Sequence, residues 1–333
     1  MSVDYAALVE KMPQDWGDVR LHYDMRNHSS LGVGGKADIF FQPKNVNSLG
    51  KALRFLHLRH VPVFVLGNGS NTLISDHGIE GCVIKLGIGF DHVFCEGNVV
   101  EVGGAVNVRD LVLRTADQGL TGLEFLVGVP GVVGGAIHMN AGCFGHEIGD
   151  YVEAVECLCL DGRFLWLYRD DLSFTYRKNN IPSDCIVTRA WVRCLPDHSE
   201  NAIHKIRVNI EQRKNRHPIN EKSLGSVFRN PLNDDRKAWQ LIDQAQCRGL
   251  SVGGAKISNK HCNFIVLQEA STAADVLQLI RLVHGNVLRE TGIFLETEVI
   301  LLGRWSEEDT AFLRPPQEAG EAGCESKVAC DEI

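Results

Sequence analysis

Two glycine-dense stretches decide the fold: Leu66-Gly-Asn-Gly-Ser-Asn-Thr-Leu73 and Gly128-Val-Pro-Gly-Val-Val-Gly-Gly-Ala-Ile-His-Met-Asn-Ala-Gly142. The first closes a β-branched apolar run, Val61–Gly67, that follows a helical pattern over Leu49–His57. A strand ending in Gly67, Asn68, Gly69, Ser70 and Asn71 offers successive backbone N–H groups in a tight turn, the inventory of a phosphate nest. It lacks the third glycine of the Rossmann fingerprint, and a plain turn is the competing reading. In the second stretch Pro130 fixes an entry turn, and Gly128, Gly131, Gly134, Gly135 and Gly142 around Asn140 let backbone approach a ligand closely. Two such loops joined by strands point to an extended ligand with two phosphates; a glycine-dense packing segment is the alternative.

Outward from these loops the periodicity predicts short strands at Gly81–Leu86 and Val99–Val102, then a helix over Asn107–Gln118 that Gly119 ends. Strands are expected at Tyr151–Leu160, Arg163–Tyr168 and Cys185–Cys194. After a turn at Pro196, Ser199 is expected to cap a helix to about Asn215. Helices over Arg236–Cys247 and Thr272–Glu290, each stopped by a glycine, interleave with strands at Asn263–Gln268 and Leu295–Leu302. The chain thus reads as α+β: an extension (1–26), two small units (27–90 and 91–200), a third α+β unit (201–303) and an acidic, Pro/Gly-containing tail (304–333) expected to be a disordered appendage.

Composition excludes several function classes. The 333 residues carry 34 Lys+Arg against 42 Asp+Glu, a net charge of −8 that lacks the footprint of a nucleic-acid binder. No apolar run approaches the ~20 residues needed to span a bilayer, so no membrane insertion is expected. The start, MSVDYAALVEKMPQDW, is acidic and broken by Pro13, unlike a signal peptide, and a cytoplasmic location follows as an expectation. The 11 cysteines are scattered and contain no Cys-x-x-Cys pair, so reduced buried thiols are expected. His138, Cys143 and His146 lie in the glycine-rich stretch, and no metal site is expected there.

With Ser29-Ser-Leu-Gly-Val-Gly-Gly-Lys-Ala-Asp38 and the two loops, the chain from about Asn27 to Gly303 resembles the UDP-N-acetylenolpyruvoylglucosamine reductase family of peptidoglycan precursor synthesis. The resemblance implies a flavin-binding domain of the vanillyl-alcohol-oxidase type in two subdomains, with a C-terminal α+β substrate-binding domain. It implies FAD and NADPH as cofactors and UDP-N-acetyl-3-O-(1-carboxyvinyl)-glucosamine as substrate. The FAD-binding set it implies is Gly67 to Asn71, Gly128, Val129, Pro130, Gly131, Gly134, Gly135, Asn140, Ala141 and Gly142. Three further segments match catalytic motifs of the family. Phe174-Thr-Tyr-Arg-Lys178 places an arginine at Arg177, Leu224-Gly-Ser-Val-Phe-Arg-Asn-Pro231 a serine at Ser226, and Leu295-Glu-Thr-Glu-Val299 an acid at Glu298. Glu296 is expected on the same strand face and is a possible substitute for Glu298. The compact stretch from Lys178 to Cys194 resembles the form without an extra tyrosine-bearing loop.

These residue types suit the implied chemistry. Hydride addition to an enolpyruvyl ether builds negative charge on the adjacent carbon and its carboxylate. A planar guanidinium grips such a carboxylate with two bonds, and a protonated carboxyl donates to the developing oxyanion. Ser226 would then deliver a proton to carbon, with Gly225 expected to allow its close approach. Arg213, Arg216, Asn230 and His261 are the substrate contacts carried over, and Asn263 lies in the same cleft-lining region. The competing classes are an oxygen-using oxidase on the same fold and a non-catalytic flavin-binding protein.

Overall fold

The computed structural model describes residues 3–315. Its first layer is a four-stranded sheet in the order Gly17–Asp24, Lys36–Pro43, Ile79–Ile84, Val63–Val65. The first pair is antiparallel, while Ile79–Ile84 runs parallel to both of its neighbours. Strand Gly17–Asp24 falls inside the segment read as an extension, so residues 17–24 are part of this sheet. Helix α1 (Tyr5–Glu10) and helix α2 (Val46–His57) flank it, α2 starting at Asn45, whose side chain accepts from the Ser48 N–H. Their apolar faces meet over Ile39, Phe41, Leu49, Leu53 and Leu56.

The second layer is an antiparallel five-stranded sheet, ordered Phe164–Tyr168, Val152–Cys159, Cys185–Arg193, Val99–Gly103, Val93–Glu96. Helix α3 (Val108–Asp117) begins at Asn107, whose side chain accepts from the Arg109 N–H, and it ends before Gly119 at φ +70°. Helix α4 (Val133–His138) is the glycine-rich stretch itself, and it sits on Cys185–Arg193 with Val133 and Ile137 fully buried.

Helix α5 (Ser199–Arg216), expected in the third unit, packs instead on the second: Ala202 and Ile206 are buried in that core, against α3, because the apolar face of α5 finds its partners there. The third unit packs helices α6 (Ala238–Gln244) and α7 (Ala273–Thr291) with a small antiparallel sheet that includes Ala255–Ile257 and Ile265–Leu267. Ser199 is the first helical residue of α5 rather than its cap; His198 takes that place with no side-chain bond. The pattern over 236–247 yields the shorter α6 because Asp234 and Asn230 fold the preceding loop back onto it. Helix α7 follows its sequence signals: Thr272 and Asp275 form a capping box, and Gly292 takes the left-handed φ of +72°.

The third core is not built from the C-terminal region alone. Leu31, Val33 and Leu73 are buried in it, and Trp305 and Phe312 pack against it. Residues 304–315, expected within a disordered tail, instead form the short helix α8 (Glu307–Thr310) and a following turn, because those two aromatic rings find an apolar seat. Residues 316–333, the remainder of the expected tail, lie outside the described residues.

A strand pairing and a helix cap are among the contacts that join this unit to the first. Strand Ile300–Leu302 runs parallel to Thr72–Ile74. Asp76 reaches the start of α7, accepting from the N–H groups of Ala273 (3.1 Å) and Ala274 (2.9 Å). An external carboxylate thus satisfies two orphan donors and opposes the positive end of the helix dipole. Asp76→Ala should therefore lower stability by about 1 kcal/mol, read as an earlier denaturation midpoint; an unchanged midpoint would mean that the parallel strand pairing alone carries the junction.

Candidate active site

A cavity of about 670 Å3 lies where the three units meet. Gly67 to Asn71 line one wall, and Val129, Pro130, Gly131, Gly134, Gly135, Ala141 and Gly142 line another. Among the described residues, the backbone N–H groups of Gly67, Asn68, Gly69, Ser70 and Asn71 have no protein acceptor. Five adjacent unpaired donors in a loop that lines a cavity are the inventory of an anion-binding nest. Ser70 Oγ donates to the Pro130 carbonyl at 3.2 Å and ties the two walls together. A Cβ at Gly67 would come within 2.9 Å of Val132 Cγ2, narrowing the gap between them.

Gly69 serves the nest from behind. Its φ is +60°, and a Cβ would fall on the His28 carbonyl oxygen. That same backing segment donates from Ser30 N to the Gly69 carbonyl (3.2 Å) and from Ser30 Oγ to the Asn68 carbonyl (3.3 Å). The early glycine motif around Ser29–Asp38 is thus partly a brace for the nest.

Arg177, Ser226 and Glu298 line the same cavity. Arg177 occupies the second position of the two-residue turn between the paired residues Thr175 and Lys178, at φ +56°. Such a conformation costs a non-glycine residue on the order of 1 kcal/mol or more, and three acceptors hold it there. Arg177 Nε donates to Glu298 Oε1 at 2.9 Å, Nη1 to the Asn140 carbonyl at 3.4 Å and Nη2 to the Gly142 carbonyl at 3.3 Å. The two side chains are only 18% and 14% exposed. Burial raises the Glu298 pKa above the usual carboxyl value, against the opposing pull of Arg177.

Backbone pairing sets Ser226 beside that acid. The Glu298 N–H donates to the Val227 carbonyl (2.8 Å), and the Arg229 N–H to the Glu296 carbonyl (2.9 Å). Asn263 fixes the same segment: its Oδ1 accepts from Phe228 N (2.9 Å), its Nδ2 donates to Phe228 O (2.8 Å), and its carbonyl accepts from Val227 N (2.9 Å). Buried and fully engaged, Asn263 positions the serine segment rather than lining the cleft. At Gly225 the constraint is the left-handed backbone, φ +74°, since a Cβ there meets no protein atom.

Other expected site residues take different places. Asn140 is fully buried at φ +42° and brackets Glu147 (2.6 Å), the Thr175 carbonyl (2.9 Å) and Gly149 N (3.1 Å), so its side chain shapes the loop instead of facing the cavity. Gly128 is also outside the lining; a Cβ there would fall on the Arg213 side chain. Arg213 does line the cavity, its Nη1 lying 3.3 Å from Cys143 Sγ and its buried Nε having no partner among the described residues. Arg216 is exposed on the last turn of α5 and lies outside the cavity.

Asn230 lines a neighbouring cavity of about 340 Å3, with its amide on the Tyr176 hydroxyl (3.2 Å) and its Oδ1 on Ala238 N (3.0 Å). Glu296 turns to that cavity too, exposed and paired with Arg229 at 3.5 Å, not to the face of Glu298. His261 stacks on His217 at 4.9 Å, and it is His217 that lines the main cavity. Burial, Arg213 and His261 push the His217 pKa down to about 4, leaving that ring neutral. Sequence reading missed His217, Lys85 and Asn179, whose amide donates to the carbonyls of Ile137 and His138 and anchors the end of α4.

Residues 37–168 match a family model described as an FAD binding domain, and residues 217–302 one described as UDP-N-acetylenolpyruvoylglucosamine reductase, C-terminal domain. The chain is similar to the UDP-N-acetylenolpyruvoylglucosamine reductase of Anoxybacillus flavithermus, with 38% identity over 89% of this chain and 98% of the relative. It is similar to that of Gluconobacter oxydans, with 40% identity over 83% of this chain and 89% of the relative. Among solved structures, that of the Thermus caldophilus enzyme superposes with a TM-score of 0.73 at 35% identity, covering 86% of this chain and 98% of the other.

A side chain at Gly69 must displace either the loop or its brace. Gly69→Val should retain the overall secondary structure by circular dichroism yet lose the anion-binding nest, so the purified variant should not hold a flavin dinucleotide that the parent retains; equal retention by both would remove the nest from the account.

Proposed function

The chain belongs to the UDP-N-acetylenolpyruvoylglucosamine reductase family, and on that premise we propose that its central cavity reduces the enolpyruvyl ether of UDP-N-acetylglucosamine to UDP-N-acetylmuramate, a step in making peptidoglycan precursors. One observation carries the reading: a nest of unpaired N–H groups, a buried arginine–carboxyl pair and a serine share one cavity. The donor set fits a dinucleotide diphosphate, with Gly67 to Asn71 cradling it and Gly131 and Pro130 facing them. Bound FAD, reduced by NADPH, supplies the hydride for this reduction. Between Asn179 and Cys185 only residues 180–184 intervene, which leaves no room for an inserted tyrosine-bearing loop. No helix among the described residues is long and apolar enough to cross a membrane, and a soluble nucleotide-sugar substrate suits a cytoplasmic enzyme.

Arg177 and Glu298 act as a unit. The substrate carboxylate competes with Glu298 for the guanidinium, so two carboxyl groups come to share one cation. That crowding favours the protonated form of Glu298, which burial already favours. A protonated Glu298 then donates to the enolate oxygen as charge builds on it, while Arg177 holds the carboxylate in place. Both groups are fixed before reaction by the contacts at Asn140, Gly142 and Asn71, so little reorganisation is needed.

Ser226 completes the reaction. Its hydroxyl proton passes to the enolate carbon, forming the new C–H bond, and cavity water reprotonates its oxygen. Segment 227–229 pairs with 296–298, so acid and proton donor keep a fixed relation across the substrate.

Two variants separate these roles. Arg177→Lys keeps the charge but loses the planar fork, so reduction of the enolpyruvyl sugar should slow by ~100-fold or more while flavin reduction by NADPH suffers less; equal losses in both half-reactions would reassign Arg177 to folding or flavin binding. Ser226→Ala should accept electrons from NADPH normally yet reoxidise on mixing with the sugar ~100–10,000-fold more slowly in stopped flow. Reoxidation at the parent rate with the normal product configuration would exclude Ser226 as the proton donor.

A further inference from the structure

Lys85 follows strand Ile79–Ile84 at the edge of the cavity and forms part of its lining. Its Nζ donates to the Gly67 carbonyl at 2.8 Å, across the C-terminal ends of two parallel strands. An ammonium carries three donors. Among the described residues Lys85 Nζ has this one acceptor, and no carboxylate lies within 4 Å of it. Burial also lowers the Lys85 pKa, a sign that the ammonium lacks a compensating anion in the protein itself. A half-buried, unpaired cation is costly to keep without a function. The carbonyl it holds belongs to the first residue of the nest, whose five N–H groups have no protein acceptor and whose residues line the same cavity as Lys85.

We propose that Lys85 is the fixed countercharge for the diphosphate of the bound dinucleotide, anchored on Gly67 so that its remaining donors face that group. This assignment rests on the flavin reading above. It gives the nest, which is otherwise made of neutral amides, a full positive charge, and charge-assisted bonds are about twice as strong as neutral ones. The same charge is a liability when the cavity holds no anion, so binding and stability should respond to its removal in opposite directions.

The test uses the full chain stripped of flavin, as wild type, Lys85→Met and Lys85→Arg. Thermal denaturation is read without ligand, and FAD affinity by quenching of flavin fluorescence at two ionic strengths. Lys85→Met should be at least as heat-stable as wild type without flavin, yet bind FAD about tenfold or more weakly, with a shallower dependence on salt. Lys85→Arg should recover most of the affinity. Unchanged FAD affinity in Lys85→Met would overturn the proposal. So would a marked loss of flavin-free stability in Lys85→Met, which would make Lys85 a brace for the loop. Failure of the wild-type chain to bind FAD would overturn the flavin reading itself, and this assignment with it.

Discussion

The parallel pairing of Ile300–Leu302 with Thr72–Ile74 is the contact on which the site depends. Asn71, the last residue of the nest, accepts from Ile300 N through its carbonyl (3.0 Å) and donates from its side chain to the Glu298 carbonyl (3.0 Å). The acid is thereby sewn to the loop that would cradle the cofactor. The Glu298 N–H reaches Val227, so the serine segment follows the acid into the cavity. Residues far apart in sequence share one frame because a three-residue strand crosses from the third unit to the first. Leu31, Val33 and Leu73, buried in the third core, make that crossing a packed junction instead of a loose tether.

The charge arrangement of the cavity follows from its job. Lys85, Arg177 and Arg213 line it against Glu298 and Asp184, an excess of cations in a chain whose net charge is −8. Positive lining inside an acidic protein focuses anionic ligands toward one place. A diphosphate, a nucleotide sugar and a carboxylate are all anions, and three cations at separate positions can sort them. Neutral His217 adds an aromatic wall without a fourth charge.

Local signals were legible in the sequence, and long-range ones were not. Thr272, Asp275 and Gly292 mark the two ends of α7 because caps are read within a few residues. The glycine loops read as a ligand cradle because small residues carry meaning by type, whereas the arginine, serine and acid segments stood out only through their resemblance to family motifs. Amide side chains are ambiguous: Asn140, Asn230 and Asn263 read as ligand contacts, each bonds protein groups here, and nothing in a linear pattern separates the two uses. Glu296 and Glu298 share a period-two face on paper; only the bridge between Phe228 and Thr297, with Arg229 alongside, sends them to different cavities. Lys85 left a faint trace, a lone charge directly after the apolar run Cys82-Val-Ile84, which sequence reading passed over.

The central claim is that a flavin site and an enolpyruvyl-sugar site are one cavity, and the visible spectrum of the purified chain tests it most directly. FAD-loaded protein should show flavin absorption bands that bleach on adding NADPH without oxygen and return when UDP-N-acetyl-3-O-(1-carboxyvinyl)-glucosamine is added. Bands that never appear after FAD loading, or that return only with air and ignore the sugar, would contradict the account.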